Sequence, residues 1–388
     1  MVAAACGTAA RELGAPGDGS DDGELIEVEQ VASTAKEEWP SALEQPLPDG
    51  LPQPLVDMQR VVSGGPPPDG IPPIDRPLFH KAREVNFLKD QEPVVAVELG
   101  GEARAYPVQI LTWHEIVNDT IGGHPVTVTY CPLCNSAIAY DRRLGERILD
   151  FGTSGRLYNS ALVMYDRQTE SLWSHFDAQA IAGILTGEEL DRHPAAMVGW
   201  GEWRDANPDG LVLSRETGHD RQYGRNPYTG YDDIDKSPFL FDGDADGRLQ
   251  PMTRIVGLEG EDEDDAVAVQ LEPLLEGGVV QVDLGGRDVV VWAKRGTSSA
   301  LDSSAISEGR DVGTTGAFLS QVDGEHLRFE RDGDVFRDDQ TGSIWNVLGE
   351  AVSGPHAGVQ LQRVRHVDTF WFAWAAFLPD TEVVPAAS

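Results

Sequence analysis

The sequence predicts a mainly β protein: two tandem, related β-rich modules, sandwich or barrel-like, with few short helices. Three features predict it. Short apolar runs alternate with period two and break at Gly-Gly turns. Helical periodicity is scarce. A set of motifs occurs twice in the same order.

The elements follow in chain order. Cys6 stands behind Val2-Ala3-Ala4-Ala5, small residues like those before the lipidated cysteine of a bacterial lipoprotein. Cys6 is therefore the expected lipidation site. The protein is expected to be exported, as a cell-surface or periplasmic lipoprotein whose only membrane contact is that anchor. Residues 1–50 read as a signal remnant and disordered tether, rich in Gly, Ala, Ser and acidic residues. Residues 51–84 are dense in Pro and Gly, which excludes helix and central strand, and read as an extended strap.

A first β module is expected over 85–195. Pro93–Leu99 and Ala103–Ile110 flank Gly100-Gly101, a hairpin signal. Thr112–Asn118 can form one or two helical turns. Val126–Tyr130 alternates as a half-buried strand should, and Asn135–Tyr140 alternates again. Residues 196–249 are expected to hold an inter-module helix and an aromatic, acidic loop. A second, cysteine-free module fills 250–388.

The repeat rests on five matches. Ala105–Ile110 matches Ala266–Leu271, and Gly122–Val126 matches Gly285–Val289. Phe151–Gly155 matches Val312–Gly316, Asp166–Trp173 matches Asp338–Trp345, and Ala180–Gly183 matches Ala351–Gly354. A feature that both copies keep is architectural, so Trp173 and Trp345 are expected in the core. A feature that only one copy keeps is a better functional candidate.

Composition narrows the function. The 388 residues carry 65 acidic and 30 basic side chains, a formal net charge of -35. Such a chain is repelled by nucleic acid and by anionic membrane surfaces. The excess reads as a solubilising surface, and Glu261–Asp265 as a solvated loop.

Chemistry concentrates in the first copy. Cys131-Pro132-Leu133-Cys134 lies between two alternating segments, which places both sulfurs at a hairpin tip. That differs from a thioredoxin-like site, where C-x-x-C opens a helix. Three readings stay open, the plainest being that both thiols are inert. The pair can be a disulfide, structural or redox-cycling, with Cys131 and Cys134 as the reacting residues. Alternatively, with His114 and His175 as further ligands, it can hold a soft metal, zinc or copper. Asp242, Asp244 and Asp246 fit the first half of a calcium loop, but Thr253 stands where an EF-hand needs glutamate. Calcium is the less favoured cation. The Tyr223–Asp232 loop can pin the two modules or stack on a sugar or peptide.

Several runs together resemble the DUF3179 family of bacterial and archaeal proteins. They are Tyr106-Pro107, Trp113–Asp119, Thr129–Cys134, Phe151-Gly152, Leu157–Ser160, Met164–Thr169, Tyr223–Tyr228 and Phe370–Phe377, with Ser63–Pro72 before them. The resemblance spans about residues 55–385. It implies a domain of unknown function, often exported, with no activity or catalytic residue to transfer. Asn135 stands where the family is expected to carry a small residue.

The expected function is an extracytoplasmic protein with a Cys-x-x-Cys/His redox or soft-metal site, served by a small molecule or a redox partner protein. The alternative is a non-catalytic protein with a structural disulfide that binds glycan or peptide through its Tyr and Trp loops. No reaction is written in the sequence.

Overall fold

The computed structural model describes residues 23–243, 245–260 and 265–384. Cys6 and Asp244 lie outside the described residues. The fold is mainly β, with several sheets and, among the described residues, four α-helices of seven residues each.

The first copy opens with β1 (Pro93–Leu99) and β2 (Glu102–Pro107), then α1 (Val108–His114). A meander follows: β3 (Ile116–Ile121), β4 (His124–Cys131) and β5 (Ser136–Asp141). A four-strand meander comes next, β6 (Phe151–Tyr158), β7 (Ala161–Asp166), β8 (Leu172–Ser174) and β9 (Ala180–Ala182). The copy closes with β10 (Ala195–Gly199), α2 (Trp200–Ala206) and β11 (Leu211–Leu213). β10 pairs antiparallel with β1, and β11 pairs parallel with β2.

The second copy repeats this path. β12 (Arg254–Glu259) and β13 (Ala266–Gln270) lead into α3 (Leu271–Gly277). β14 (Val279–Leu284), β15 (Arg287–Lys294) and β16 (Thr314–Leu319) form the first meander. β17 (Phe329–Asp332), β18 (Val335–Asp338), β19 (Ile344–Trp345) and β20 (Ala351–Ser353) form the second. β21 (His366–Phe370), α4 (Trp371–Phe377) and β22 (Glu382–Val384) close it. Again the closing strands flank the opening hairpin, β21 antiparallel to β12 and β22 parallel to β13.

The duplication is thus wider than the sequence matches. The first copy runs on to Leu213, because α2 and β11 occupy the places of α4 and β22; they are not an inter-module connection. One match was out of register. β16 takes the position of β5, since each is the third strand of its meander, so Val312–Gly316 does not correspond to Phe151–Gly155. Glycine-rich turns of similar composition produced that match.

The copies share their cores. One apolar cluster joins Cys131, Ile138, Met164 and Trp173 to Ile255, Phe370 and Trp374. A second joins Val94, Trp200 and Trp203 to Trp292, Phe336 and Trp345. Both Trp173 and Trp345 are fully buried, as expected.

Residues 23–50, expected in the tether, are ordered against the body instead. From Gly23 onward the chain is laid along the body: Ile26–Glu27 pairs with Leu78–Lys81, and Val61–Ser63 pairs with β6. Between them the amides of Thr34 and Glu37 donate to the carbonyls of Ile148 (2.9 Å) and Gln168 (2.7 Å). Polar composition hid this, because the segment is held by backbone hydrogen bonds that need no apolar pattern.

Candidate functional site

β4 and β5 lie between two cores, so both faces of each strand are buried. Val126, Val128 and Tyr130 enter one core. Alternation then turns Thr127, Thr129 and Cys131 toward the other. Cys131 pairs directly with Ser136, and Thr129 with Ile138, so these four side chains share a face. The Pro132–Asn135 turn joins the strands, and Asn135 takes the left-handed conformation at φ 53° that asparagine tolerates.

Both cysteines are free thiols, 2% and 0% exposed. The Cys134 Sγ lies 3.0 Å from Ser136 Oγ. Ser136 Oγ lies a long 3.5 Å from His175 Nδ1, and His175 Nε2 lies 2.8 Å from Thr129 Oγ1. The Thr129 hydroxyl donates to the Ile138 carbonyl at 2.8 Å, so it accepts from His175. That assigns the ring proton to Nε2 and leaves Nδ1 as an acceptor. A directed chain results: the Cys134 thiol donates to Ser136, and Ser136 donates to His175. Burial lowers the His175 pKa to about 4, so the imidazole is neutral at rest. Burial and a hydrogen bond to Cys134 push the Cys131 thiol well above its usual range.

His114 does not join this cluster. Its Nδ1 is 2.6 Å from the Pro72 carbonyl and its Nε2 is 2.7 Å from the Tyr223 hydroxyl, so both ring nitrogens are engaged elsewhere. Among the described residues no three His, Cys, Asp or Glu side chains are placed to hold a metal ion. The predicted mixed site of Cys131, Cys134, His114 and His175 for zinc or copper is therefore not assembled. Sequence separation could not show that the strap would claim His114. Of the calcium-loop candidates, Asp244 lies outside the described residues, and the other two face arginines. Asp246 pairs with Arg248 at 2.8 Å, and Asp242 lies 3.8 Å from Arg60.

The aromatic loop is engaged internally. Tyr223 binds His114, and the Tyr231 hydroxyl donates to the Leu133 carbonyl at 2.9 Å. Beside it lies a cavity of about 310 Å³, with Leu133, Leu157, Leu162, Tyr228 and Tyr231 in its wall. Glu115 also lines it, a residue that sequence reasoning passed over in favour of its neighbour His114. The residue is 7% exposed, and burial and the nearby Cys131 raise its pKa well above the usual glutamate range.

Residues 68–381 match the family described as "Protein of unknown function (DUF3179)". The chain belongs to the DUF3179 family. No curated protein and no solved structure matches it. Membership therefore carries no activity to this site, and the second copy is the useful comparison. Cys131 ends β4 where Lys294 ends β15, and Lys294 bonds to Glu202 at 2.6 Å. His175 stands two residues beyond Trp173, where the second copy has the apolar Val347 beyond Trp345. The thiol–hydroxyl–imidazole chain belongs to the first copy alone.

Proposed function

We propose that this protein is an extracytoplasmic thiol–disulfide protein whose Cys131–Cys134 pair exchanges with small disulfides. The observation that carries the reading is the directed chain from the Cys134 thiol through Ser136 to the free Nδ1 of His175. Thiolate, not thiol, is the nucleophile, and a buried thiol needs a base to become one. The Cys134 proton passes to Ser136 as the Ser136 proton passes to His175. The Cys134 thiolate attacks one sulfur of the incoming disulfide. The other sulfur leaves as a thiolate and takes the proton from His175. Cys131 then attacks the mixed disulfide, its proton goes to the second leaving thiolate, and the Cys131–Cys134 bond closes. One substrate disulfide becomes two thiols, and two electrons and two protons leave the protein.

Exposures of 2% and 0% admit a small reagent more readily than a protein partner. An exported location is supported by the setting of Cys6 and by the acid excess. No helix among the described residues is long and apolar enough to cross a membrane.

The test is intact mass after reduction and exposure to oxidised glutathione. Wild type should lose two hydrogens, whereas Cys131→Ser and Cys134→Ser should not. Ser136→Ala and His175→Asn should slow closure by about a hundredfold, the low end of general-base effects. A wild type that never closes the bond, or variants that close it at the wild-type rate, would overturn the reading.

A further inference from the structure

Glu115 occupies a position that the fold reserves for glycine. In the second copy the equivalent residue is Gly278, which caps α3 at φ 84°. Its amide donates to the Leu274 carbonyl at 2.6 Å, and its carbonyl accepts from the Ala293 amide at 2.9 Å. Glu115 caps α1 at φ 59° and repeats both bonds, to the Leu111 carbonyl at 2.7 Å and from the Tyr130 amide at 2.8 Å. Left-handed backbone is free for glycine and costly for a residue with a Cβ.

The side chain is unpartnered as well. No hydrogen bond to the Glu115 carboxyl is found among the described residues, although the residue is only 7% exposed and lines the cavity. A largely buried polar group of this kind is one that a ligand can satisfy. Strained backbone and an unpartnered carboxyl at one residue mark a position kept for what it does. The carboxyl reaches the 310 Å³ cavity, a volume at the lower end of small-molecule sites.

The walls define the occupant. They are apolar or aromatic apart from Thr153, Arg156 and backbone groups, and the Arg156 guanidinium is already bound to the carbonyls of Ala42 and Leu43. An anionic ligand would find no free counter-ion there, and burial disfavours the charged carboxylate that a cation would need. In its acid form, which burial favours, the carboxyl offers one O–H donor, and Cys131 and Tyr228 are titratable groups that interact with it.

We propose that Glu115 is the polar anchor of a binding site for an uncharged, mostly apolar small molecule bearing a hydrogen-bond acceptor such as a carbonyl. The site lies in the cavity under Tyr228 and Tyr231. It goes beyond the thiol–disulfide reading and does not depend on it.

The probe is prodan, an uncharged fluorescent naphthyl ketone, titrated into the full chain and followed by its emission. Wild type should bind one equivalent saturably, and Glu115→Gln, which keeps an N–H donor, should bind within a few fold of it. Glu115→Gly should weaken binding about tenfold, the worth of one buried hydrogen bond. Gly278 shows that glycine fits this cap, so that variant folds, and circular dichroism checks it. Cys134→Ser should bind as wild type does, which separates this site from the thiol chemistry. The proposal is overturned if wild type shows no saturable binding, if Glu115→Gly binds as tightly as wild type, or if naphthalene, which lacks the acceptor, binds as tightly as prodan.

Discussion

The Trp173 indole donates to the Asp166 carboxylate at 2.9 Å, and Trp345 donates to Asp338 at 2.9 Å in the second copy. The rest of the box is also duplicated. The amides of Thr169 and Thr341 each donate to the same aspartate at 2.6 Å, and the hydroxyls of Ser171 and Ser343 complete it. The two aspartates titrate in opposite directions. Burial raises the Asp166 pKa despite its hydrogen bonds. Burial would also raise Asp338, but the bonds from Trp345 and Thr341 outweigh it and hold the carboxyl below its usual value.

Opposite pH dependences should follow. The Asp166 contribution is present at low pH and is lost as pH rises from 3.8 through its raised folded pKa. The Asp338 contribution is present above 3.8 and is lost as pH falls through its lowered folded pKa. Urea unfolding of Asp166→Asn and Asp338→Asn across pH 3–7 reads this out. The wild-type advantage over the first variant should shrink as pH rises, and over the second as pH falls. Parallel slopes would contradict the opposite titration of the two carboxyls.

Glu115→Gly should stabilise the protein by about 1 kcal/mol, since it relieves left-handed strain. Glu115→Gln keeps the strain and should gain less. Its comparison with wild type isolates the ionisation. Because burial raises the Glu115 pKa, wild-type stability relative to Glu115→Gln should fall as pH rises above 4.5. Denaturant midpoints at matched pH check both expectations, and a Glu115→Gly less stable than wild type would count against strain at this cap.

Much of this is legible in the amino-acid sequence. The turn glycines and the Asp-x-x-Thr-x-Ser-x-Trp box are local devices, so they carry the β class and the duplication in a few adjacent residues. The hairpin placement of Cys131 and Cys134 is equally local. Glu115 was within reach as well: Gly122 aligns with Gly285, and counting back seven positions sets Glu115 against Gly278. What was not legible is long-range. His114 is claimed by Pro72 and Tyr223, and Ser136 meets His175, because strap and meander pack at particular distances. No periodicity encodes those contacts.

Acid should weaken the fold through two histidines. Burial lowers both His114 and His175 to about 4 from 6.5. A neutral buried imidazole adds stability above 6.5 that is lost as pH falls toward its folded pKa. For His175 the loss can reach about 3 kcal/mol between pH 6.5 and 4. The His175→Asn variant should be less stable than wild type at pH 7, with a gap that narrows by pH 4. A gap constant across that range would show that the imidazole is not buried neutral.

Asp232 fastens the aromatic loop to the second copy. Fully buried, it receives Arg254 at 2.7 Å and Arg310 at 2.8 Å, and Ser299 donates to it at 2.6 Å. Burial alone would raise its pKa, but Arg254, Ser299 and Arg310 hold it below the usual range. Asp232→Asn leaves the largely buried Arg254 without its counter-charge, a loss of about 3 kcal/mol for a broken buried pair. The neighbouring Tyr231 bonds to Leu133 at the thiol hairpin, so the damage should travel. Hydrogen exchange should speed up at the amides of residues 230–232 and of the 133–135 turn, ahead of β4 itself. Adding Arg254→Met should recover part of the stability, because the orphaned cation is then gone. If the double variant is no better than Asp232→Asn alone, the ion pair is not what holds the loop.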